Sequence, residues 1–446
     1  MSRDMKQNTI PIEEREQMLE FFRSGEKPDQ TLHVGTEHEK FVFHKDTGRL
    51  ADHEDLARVM GDLAERYDWE PAYDRGKLIA LEGSDGAVTL EPGGQLELSG
   101  ALRGTVFETA AEFDRHMAQL HEVAAARLNF AAWGANPFDE LDDIPWMPKS
   151  RYAIMRRYLP TRGDLAHHMM KRTCTVQANF DYTSEEDAVD ILRTSLYVSP
   201  IVSAMFANSP IVGGRDVGMQ SYRLHIWTRT DPDRTGFPDF MFRDDWGYEE
   251  YLDYVLDIPM FFIRRGSAYL DATGRTFREF MRDGFEGARA HMGDFELHLS
   301  TVFPEVRMKR YIEVRGADAG SRAMMMALPA VWKGILYDAT ARADVRALRP
   351  STTPSDHRGC FEVVTREAIR ANTTCGSFLH SARDLVAIAR AGLDRIAERD
   401  GHRSEAVFLE PLEQLLSIER THADRFLKDW AAFGGDRRAL IQAYAL

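Results

Sequence analysis

Glu37 and Glu39 stand one residue apart in HVGTEHEKFVFH, residues 33–44, a stretch whose Val and Phe residues otherwise read as a strand. Alternation puts Glu37, Glu39, Phe41 and Phe43 on one face, with the two carboxylates about 7 Å apart along the chain. An isolated Glu-x-Glu is more often a solvated strand edge. Here two Phe share the face, which argues that it is covered, and covered carboxylates repel each other unless a cation sits between them.

The same theme returns in TLEPGGQLELS, residues 89–99. Alternation groups Glu91, Gln95 and Glu97, provided that Pro92-Gly93-Gly94 does not break parity as a bulge. In RTCTVQANFDY, residues 172–182, the odd positions Thr173, Thr175, Gln177, Asn179 and Asp181 are all polar, and the even positions Cys174, Val176, Ala178, Phe180 and Tyr182 are apolar or aromatic. A solvated strand face usually carries Lys and Glu; Thr, Gln and Asn suit a ligand cleft, which nominates Thr175 and Gln177 as substrate contacts. KRYIEVRGAD, residues 309–318, sets Tyr311, Glu313 and Arg315 on one face, a carboxylate beside a guanidinium that can serve as a structural ion pair or hold a metal and a phosphate. Read as a strand, residues 222–228 set Arg223, His225 and Trp227 on one face.

Together these give five carboxylates, Glu37, Glu39, Glu91, Glu97 and Glu313, on several short strands. Hard oxygen donors point to Mg²⁺, with Mn²⁺ as a substitute, rather than to zinc. More than one ion fits, and such a sheet is suited to neutralising a nucleoside triphosphate. Other sites find little support. There is no GxxxxGK[ST] loop, no GxGxxG after a strand and no nucleophile elbow. The two His of HEKFVFH are six apart on a strand, unlike the i, i+4 helical pair of a zinc protease, and His167-His168 reads as a solvated or structural pair.

The elements that must position these residues form an α+β pattern. Helices are predicted over 11–23, 53–67, 105–127, 185–207 and 247–256, and strands over 33–44, 76–100, 172–182, 222–228, 295–302 and 310–315. After residue 320 the chain reads as almost wholly helical, through 378–399, 405–417 and 419–433. No repeat, low-complexity tract or linker is visible, which predicts one domain over 1–446, an antiparallel sheet within 30–320 covered by helices. The net charge of −15 argues against nucleic acid as a partner. No apolar run is long enough to span a bilayer, and AMMMALPAVW reads as a buried helix. The N-terminus has no apolar signal region, and three cysteines without a CxxC fit a reducing cytoplasm, with a Cys360–Cys375 disulfide left open.

GTEHEKF, LEPGGQLELSG, SRYAIM, MKRTCTVQANFDY, SYRLHIWTRTDPDRTG and TVFPEVRMKRYIEVRGAD, in that order, resemble glutamate–cysteine ligases of the plant and proteobacterial type. The resemblance covers residues 30–320. It implies a fold like the catalytic domain of glutamine synthetase, a curved antiparallel sheet forming a funnel with helices outside. It also implies ATP- and Mg²⁺-dependent joining of L-glutamate to L-cysteine through a γ-glutamyl phosphate, the first step of glutathione synthesis. Carried over, Glu37, Glu39, Glu91, Glu97 and Glu313 are the metal ligands, and Arg315 contacts the transferred phosphate beside Glu313. Arg151 and Arg223 clamp carboxylates, and Trp227 and Phe261 wall the amino-acid pocket. An acyl phosphate needs shielding from water, with EGSDG and GGRDVG (213–218) as candidate closing loops. The alternatives are a related ligase with another amine acceptor, a non-catalytic metal or nucleotide binder on the same fold, and a metal-dependent hydrolase. Monomer and homodimer both stay open.

Overall fold

The computed structural model describes residues 8–27, 31–84, 86–348 and 353–446. Its centre is a nine-stranded, wholly antiparallel sheet. The strands are β1 (Val34–His44), β2 (Glu70–Asp74), β3 (Lys77–Gly83), β4 (Gly86–Leu90), β5 (Leu96–Gly100), β6 (Leu128–Ala131), β7 (Val176–Phe180), β8 (Val306–Met308) and β9 (Ile312–Val314). Their order is β8-β9-β7-β1-β5-β4-β3-β2, with β6 pairing the far half of β1. Thus β1 lies between β5 and β7 where it carries Glu37 and Glu39, and pairs β6 where it carries Phe41 and Phe43. The expected α+β class with an antiparallel sheet is what the chain forms.

The Pro92-Gly93-Gly94 hairpin keeps parity. Glu91 N donates to Gln95 O, and Thr89 lies opposite Glu97. The glycines are required there: Gly94 has φ +85°, and a Cβ on Gly93 would come within 2.1 Å of the Lys171 carbonyl oxygen.

Helices cover the sheet where the predicted periodicity puts them. Val106–Ala124 opens with a capping box between Thr105 and Glu108, and its buried stripe includes Ala110, Phe113, Met117 and Leu120. Arg322–Leu336, which contains AMMMALPAVW, is buried from Met324 to Leu336 and packs on Phe378–Asp400. One apolar cluster runs from Met18 to Ile441, so the helical C-terminal part shares its core with the sheet. Among the described residues no helix is long and apolar enough to cross a membrane.

Two predicted strands are helices. Residues 222–228 form the helix Tyr222–Thr228, capped by the Ser221 hydroxyl, which accepts from Leu224 N. Residues 295–302 fall largely in the helix Met292–Leu299, capped by a reciprocal His291–Asp294 pair. In segments this short, alternating apolar residues do not separate the two periods, and the caps decide. Cys360 and Cys375 form the disulfide that the sequence left open, tying the helix Pro354–Glu367 to the hairpin Asn372–Thr373/Gly376–Ser377, and Cys174 is a free buried thiol. GGRDVG spans the small hairpin Ile211–Val212/Arg215–Asp216, and in EGSDG Asp85 lies outside the described residues.

Candidate active site

The five carboxylates lie on β1, β5 and β9, with β7 between β9 and β1, and on one hairpin, and all are buried. Register divides them. Glu39 is the cross-strand partner of Glu97, and Glu97 of Thr89, so Glu39, Glu97 and the hairpin residue Glu91 form one group. Glu37 pairs across with Gln177, and Glu313 with Asn179 and Arg307, which forms a second group toward β8.

The first group has little internal relief. Glu39 Oε2 accepts from Thr175 N at 3.0 Å, and Glu97 Oε1 accepts from Ser99 Oγ at 2.8 Å and Thr89 Oγ1 at 3.2 Å. Glu91 Oε1 and Glu97 Oε2 are buried with no hydrogen-bond partner in the protein. Burial, then the charges of Glu97 and Glu91, push the Glu39 carboxyl well above the usual range. Burial and Glu97 push Glu91 to about 7, against Lys149 and Arg151.

In the second group Glu313 is saturated with cations. Arg307 grips Glu313 through Nε at 3.1 Å and Nη2 at 2.7 Å, Lys309 Nζ lies 3.1 Å away, and Arg315 Nη1 donates to Oε1. Burial raises the Glu313 carboxyl, but Arg307, Lys309 and Arg315 outweigh it and hold the group well below the usual range. Both oxygens of Glu313, expected from the sequence to hold a metal, face cations in this structure, and Glu313 anchors Arg315. Glu37 accepts from Gln177 Nε2 at 3.3 Å and Asn179 Nδ2 at 3.4 Å. Gln177 also accepts from Arg315 Nη1 at 2.8 Å, so it links Glu37 to Arg315.

A cavity of about 760 Å³, including its mouth, opens beside the first group and is lined by Glu39, Glu91, Gln95, Arg151, Thr175, Gln177, Arg223, Trp227 and Arg315. Arg223 and Trp227 share a face because they are four apart on a helix, whereas His225, two residues on, turns toward the Tyr222 ring. That helix is pinned by buried Asp318, which accepts from Ser209 Oγ, Ser221 Oγ and Asn208 N. Arg223 Nη2 donates to the Arg315 carbonyl at 2.8 Å, while Nε and Nη1, on different edges of the guanidinium, are buried without a hydrogen-bond partner and remain as donors for a ligand. Arg315 lies over the rings of Trp227 and Phe303 at 5.7 and 5.6 Å. Arg151, at the start of the helix Ser150–Tyr158, lies 5.3 Å from the Tyr152 ring centre. Thr175 lines the cavity, but its hydroxyl donates to Ala317 O at 2.7 Å, so it also braces the strand.

Phe261 is not on the cavity wall. It is buried under Arg234 and packs against Tyr158, and the neighbouring Phe262 faces the cavity instead. Sequence reasoning also missed Tyr152, Phe303 and Arg307. The signal for Arg307 was present, since Arg307 and Glu313 lie symmetrically about the turn of a hairpin and so oppose each other. His167 Nε2 bonds to the Arg156 carbonyl, and burial holds His168 neutral at about 4; neither joins the site.

Among the described residues, no three His, Cys, Asp or Glu side chains already converge as a cation cage. The first group nonetheless fits a hard divalent cation by its chemistry, because it offers buried carboxylate oxygens without hydrogen-bond partners, Glu91 Oε1 and Glu97 Oε2, and among the described residues its carboxylates form no ion pair.

The sequence matches the model of Glutamate-cysteine ligase family 2 over residues 33–442. It is 41% identical over 418 residues to the chloroplastic glutamate–cysteine ligase of Arabidopsis thaliana, covering 93% of this chain and 79% of that protein. It is 40% identical over 425 residues to chloroplastic glutamate–cysteine ligase B of Oryza sativa subsp. japonica, covering 94% and 84%. Among solved structures, the glutamate–cysteine ligase of Francisella tularensis in complex with AMP aligns with TM-score 0.60 at 12% identity, over 94% of this chain and 88% of that one. The bifunctional glutathione synthetase of Pasteurella multocida aligns with TM-score 0.53 at 12% identity, over 96% of this chain and 53% of that one. At such identity these two speak to the fold.

Proposed function

This chain belongs to glutamate-cysteine ligase family 2, and we infer that it joins the γ-carboxylate of L-glutamate to the amino group of L-cysteine, driven by ATP cleavage, as the first step of glutathione synthesis. The observation that carries the reading at the level of residues is the cavity lined by Glu39, by Glu91 with its partnerless Oε1, and by the three arginines Arg151, Arg223 and Arg315.

A free carboxylate does not react with an amine to give an amide, so it must be activated. In the proposed sequence a γ-carboxylate oxygen attacks the terminal phosphorus of ATP, ADP leaves, and γ-glutamyl phosphate forms. The cysteine nitrogen then attacks the acyl carbon, phosphate leaves and a proton is lost from nitrogen. Such transfers depend on positioning and charge neutralisation more than on covalent help. Glu39, Glu91 and Glu97, with Glu37 beside them, would hold Mg²⁺ or Mn²⁺; when bound, it supplies charge neutralisation for the phosphates. Arg315, held by Glu313 and Gln177, meets the charge that develops on the transferred phosphoryl group. Arg223 and Arg151 receive the amino-acid carboxylates, and Trp227 and Phe262 exclude water from one side.

We treat residues 1–446 as one catalytic unit, and a cytoplasmic location is proposed with it. The test is ADP release with ATP, Mg²⁺ and L-glutamate, with and without L-cysteine, with the product mass determined. Cysteine-dependent ADP release with the mass of γ-glutamylcysteine is expected. ADP release indifferent to cysteine would overturn the acceptor assignment and turn the search to other amines.

A further inference from the structure

Two arginines of the cavity, Arg315 and Arg223, arrive from segments 92 residues apart. Arg315 takes its place from the sheet: its N donates to Glu305 O at 3.1 Å and its Nη1 to Gln177 Oε1 at 2.8 Å. Arg223 rides on the helix Tyr222–Thr228, whose seven residues are too few to hold a position on their own. Its guanidinium has one bond to the protein, Nη2 to the Arg315 carbonyl, so its direction depends on the backbone that carries it.

That backbone is fixed at the first three amides of the helix. Tyr222 N donates to Ser209 O at 3.1 Å, Arg223 N to Ser209 Oγ at 3.1 Å and Leu224 N to Ser221 Oγ at 3.2 Å. A serine hydroxyl rotates, and its lone pairs keep one direction only when its proton is committed elsewhere. Both protons go to one carboxylate. Ser209 Oγ donates to Asp318 Oδ2 at 2.7 Å and Ser221 Oγ to Asp318 Oδ1 at 2.9 Å, and Asn208 N adds a bond to Oδ2 at 2.8 Å.

Asp318 is itself anchored to the sheet. It is 2% exposed and bridges to Thr175, whose hydroxyl donates to the adjoining Ala317 O at 2.7 Å. Gly134 leaves it room, since a Cβ there would come within 2.2 Å of the Asp318 Cγ. Asp318 does not line the cavity, and it follows Arg315 by three residues on the same chain. One carboxylate thus ties the segment that brings Arg315 to the helix that brings Arg223 and Trp227.

We propose that Asp318 is a positioning residue that holds Arg223 in register with Arg315 and thereby sets the affinity for the amino-acid donor, whose carboxylate end meets Arg223 while its reacting end meets the phosphoryl group at Arg315. The inference rests on the reading of this cavity as the site of an ATP-driven glutamate ligase. Without Asp318 both hydroxyls turn freely, Asn208 N loses its acceptor, and the helix loosens with Arg223 and Trp227 on it. Arg315 keeps Glu313 and Gln177, so the nucleotide end of the site is left as it was.

ADP release is measured at saturating L-cysteine and Mg²⁺ for the full-length wild type, Asp318→Asn, Asp318→Ala and Ser221→Ala, with L-glutamate and ATP varied separately. Glutamate-dependent release by wild type is expected, and its absence would overturn the ligase reading and this inference with it. With that release present, Asp318→Ala is expected to raise the KM for glutamate about tenfold and to leave the KM for ATP within about twofold. Asp318→Asn keeps an acceptor for Ser209 Oγ and Asn208 N and offers Ser221 Oγ an N–H, and is expected to stay within about twofold of wild type for both. A fall in kcat alone in Asp318→Ala, or equal rises in both KM values, would overturn the role, because a residue needed only for folding lowers the active fraction or disturbs the whole site. Asp318→Asn as damaging as Asp318→Ala would overturn it too. Should Asp318→Ala not fold, Ser221→Ala decides by removing one arm of the relay. A rise of about threefold in the KM for glutamate with that for ATP unchanged supports the role, and an unchanged KM for glutamate overturns it.

Discussion

One face of one sheet carries two carboxylate groups with opposite electrostatic solutions. Around Glu313 the protein supplies its own cations, Arg307, Lys309 and Arg315, and they hold the carboxyl well below the usual range. Around Glu39, Glu91 and Glu97, among the described residues, no ion pair forms, and burial and neighbouring carboxylates push the Glu39 and Glu91 carboxyls up. The difference separates scaffold from site. A buried charge satisfied inside the fold fixes geometry, whereas a buried charge left unsatisfied is a standing demand for a ligand.

The largest effect expected to test that contrast is on turnover. Glu39→Gln, and likewise Glu37→Gln, is expected to lower the ADP-release rate by on the order of 10³-fold while far-ultraviolet circular dichroism stays that of the wild type. Near-normal rates in both would remove the metal role from β1. Next in size is the scaffold side. Arg307→Met strips the bidentate partner from a fully buried Glu313 and is expected to cost about 3–5 kcal/mol in urea unfolding. Glu97→Gln should do the reverse in metal-free protein, adding about 1 kcal/mol of stability while activity is lost, because one of three mutually repelling charges is gone. If both variants destabilise equally, the two groups do not differ as described.

The pH dependence sharpens the same comparison. Burial and Glu97 push Glu91 to about 7 in the fold from its ordinary 4.5, so between these values the native state holds a proton that the unfolded chain has released. Metal-free stability from this group therefore falls as pH rises from about 4.5 to about 7. Glu313 has the opposite sign: its stabilisation is present above the unfolded value of 4.5 and is lost as pH falls through its lower folded value. Urea titrations across pH 4–8 should give a falling slope in the upper part of that range for metal-free wild type and a flatter one for Glu91→Gln. The smallest change is expected from Lys309→Met, less than about 1 kcal/mol, because Arg307 and Arg315 still hold Glu313.

Much of this site is legible along the chain because strand parity is a local property. The shared face of Glu37 and Glu39, the grouping of Glu91 with Glu97 across Pro92-Gly93-Gly94, and the polar face of Thr175 and Gln177 all follow from a period of two. The helices Val106–Ala124 and Arg322–Leu336 follow as readily from long amphipathic or apolar runs. Arg223 and Trp227 were grouped for the wrong reason, since positions four apart coincide on a strand face and on a helix face alike. Residues 295–302 misled in the same way, being too short for periodicity to outweigh a cap.

What the amino-acid order determines by itself, then, is which donors exist and which side of each strand they leave from. Which carboxylate meets a cation and which meets only other carboxylates was decided by tertiary structure. Arg307 reaches Glu313 through a hairpin, Glu97 reaches Glu39 across β1, and Phe262 rather than Phe261 reaches the cavity through the path of its strand. The physical reason is that the charge state of a buried group depends on its nearest neighbours and on loss of water, and both are set by strand order and packing between residues distant in the chain.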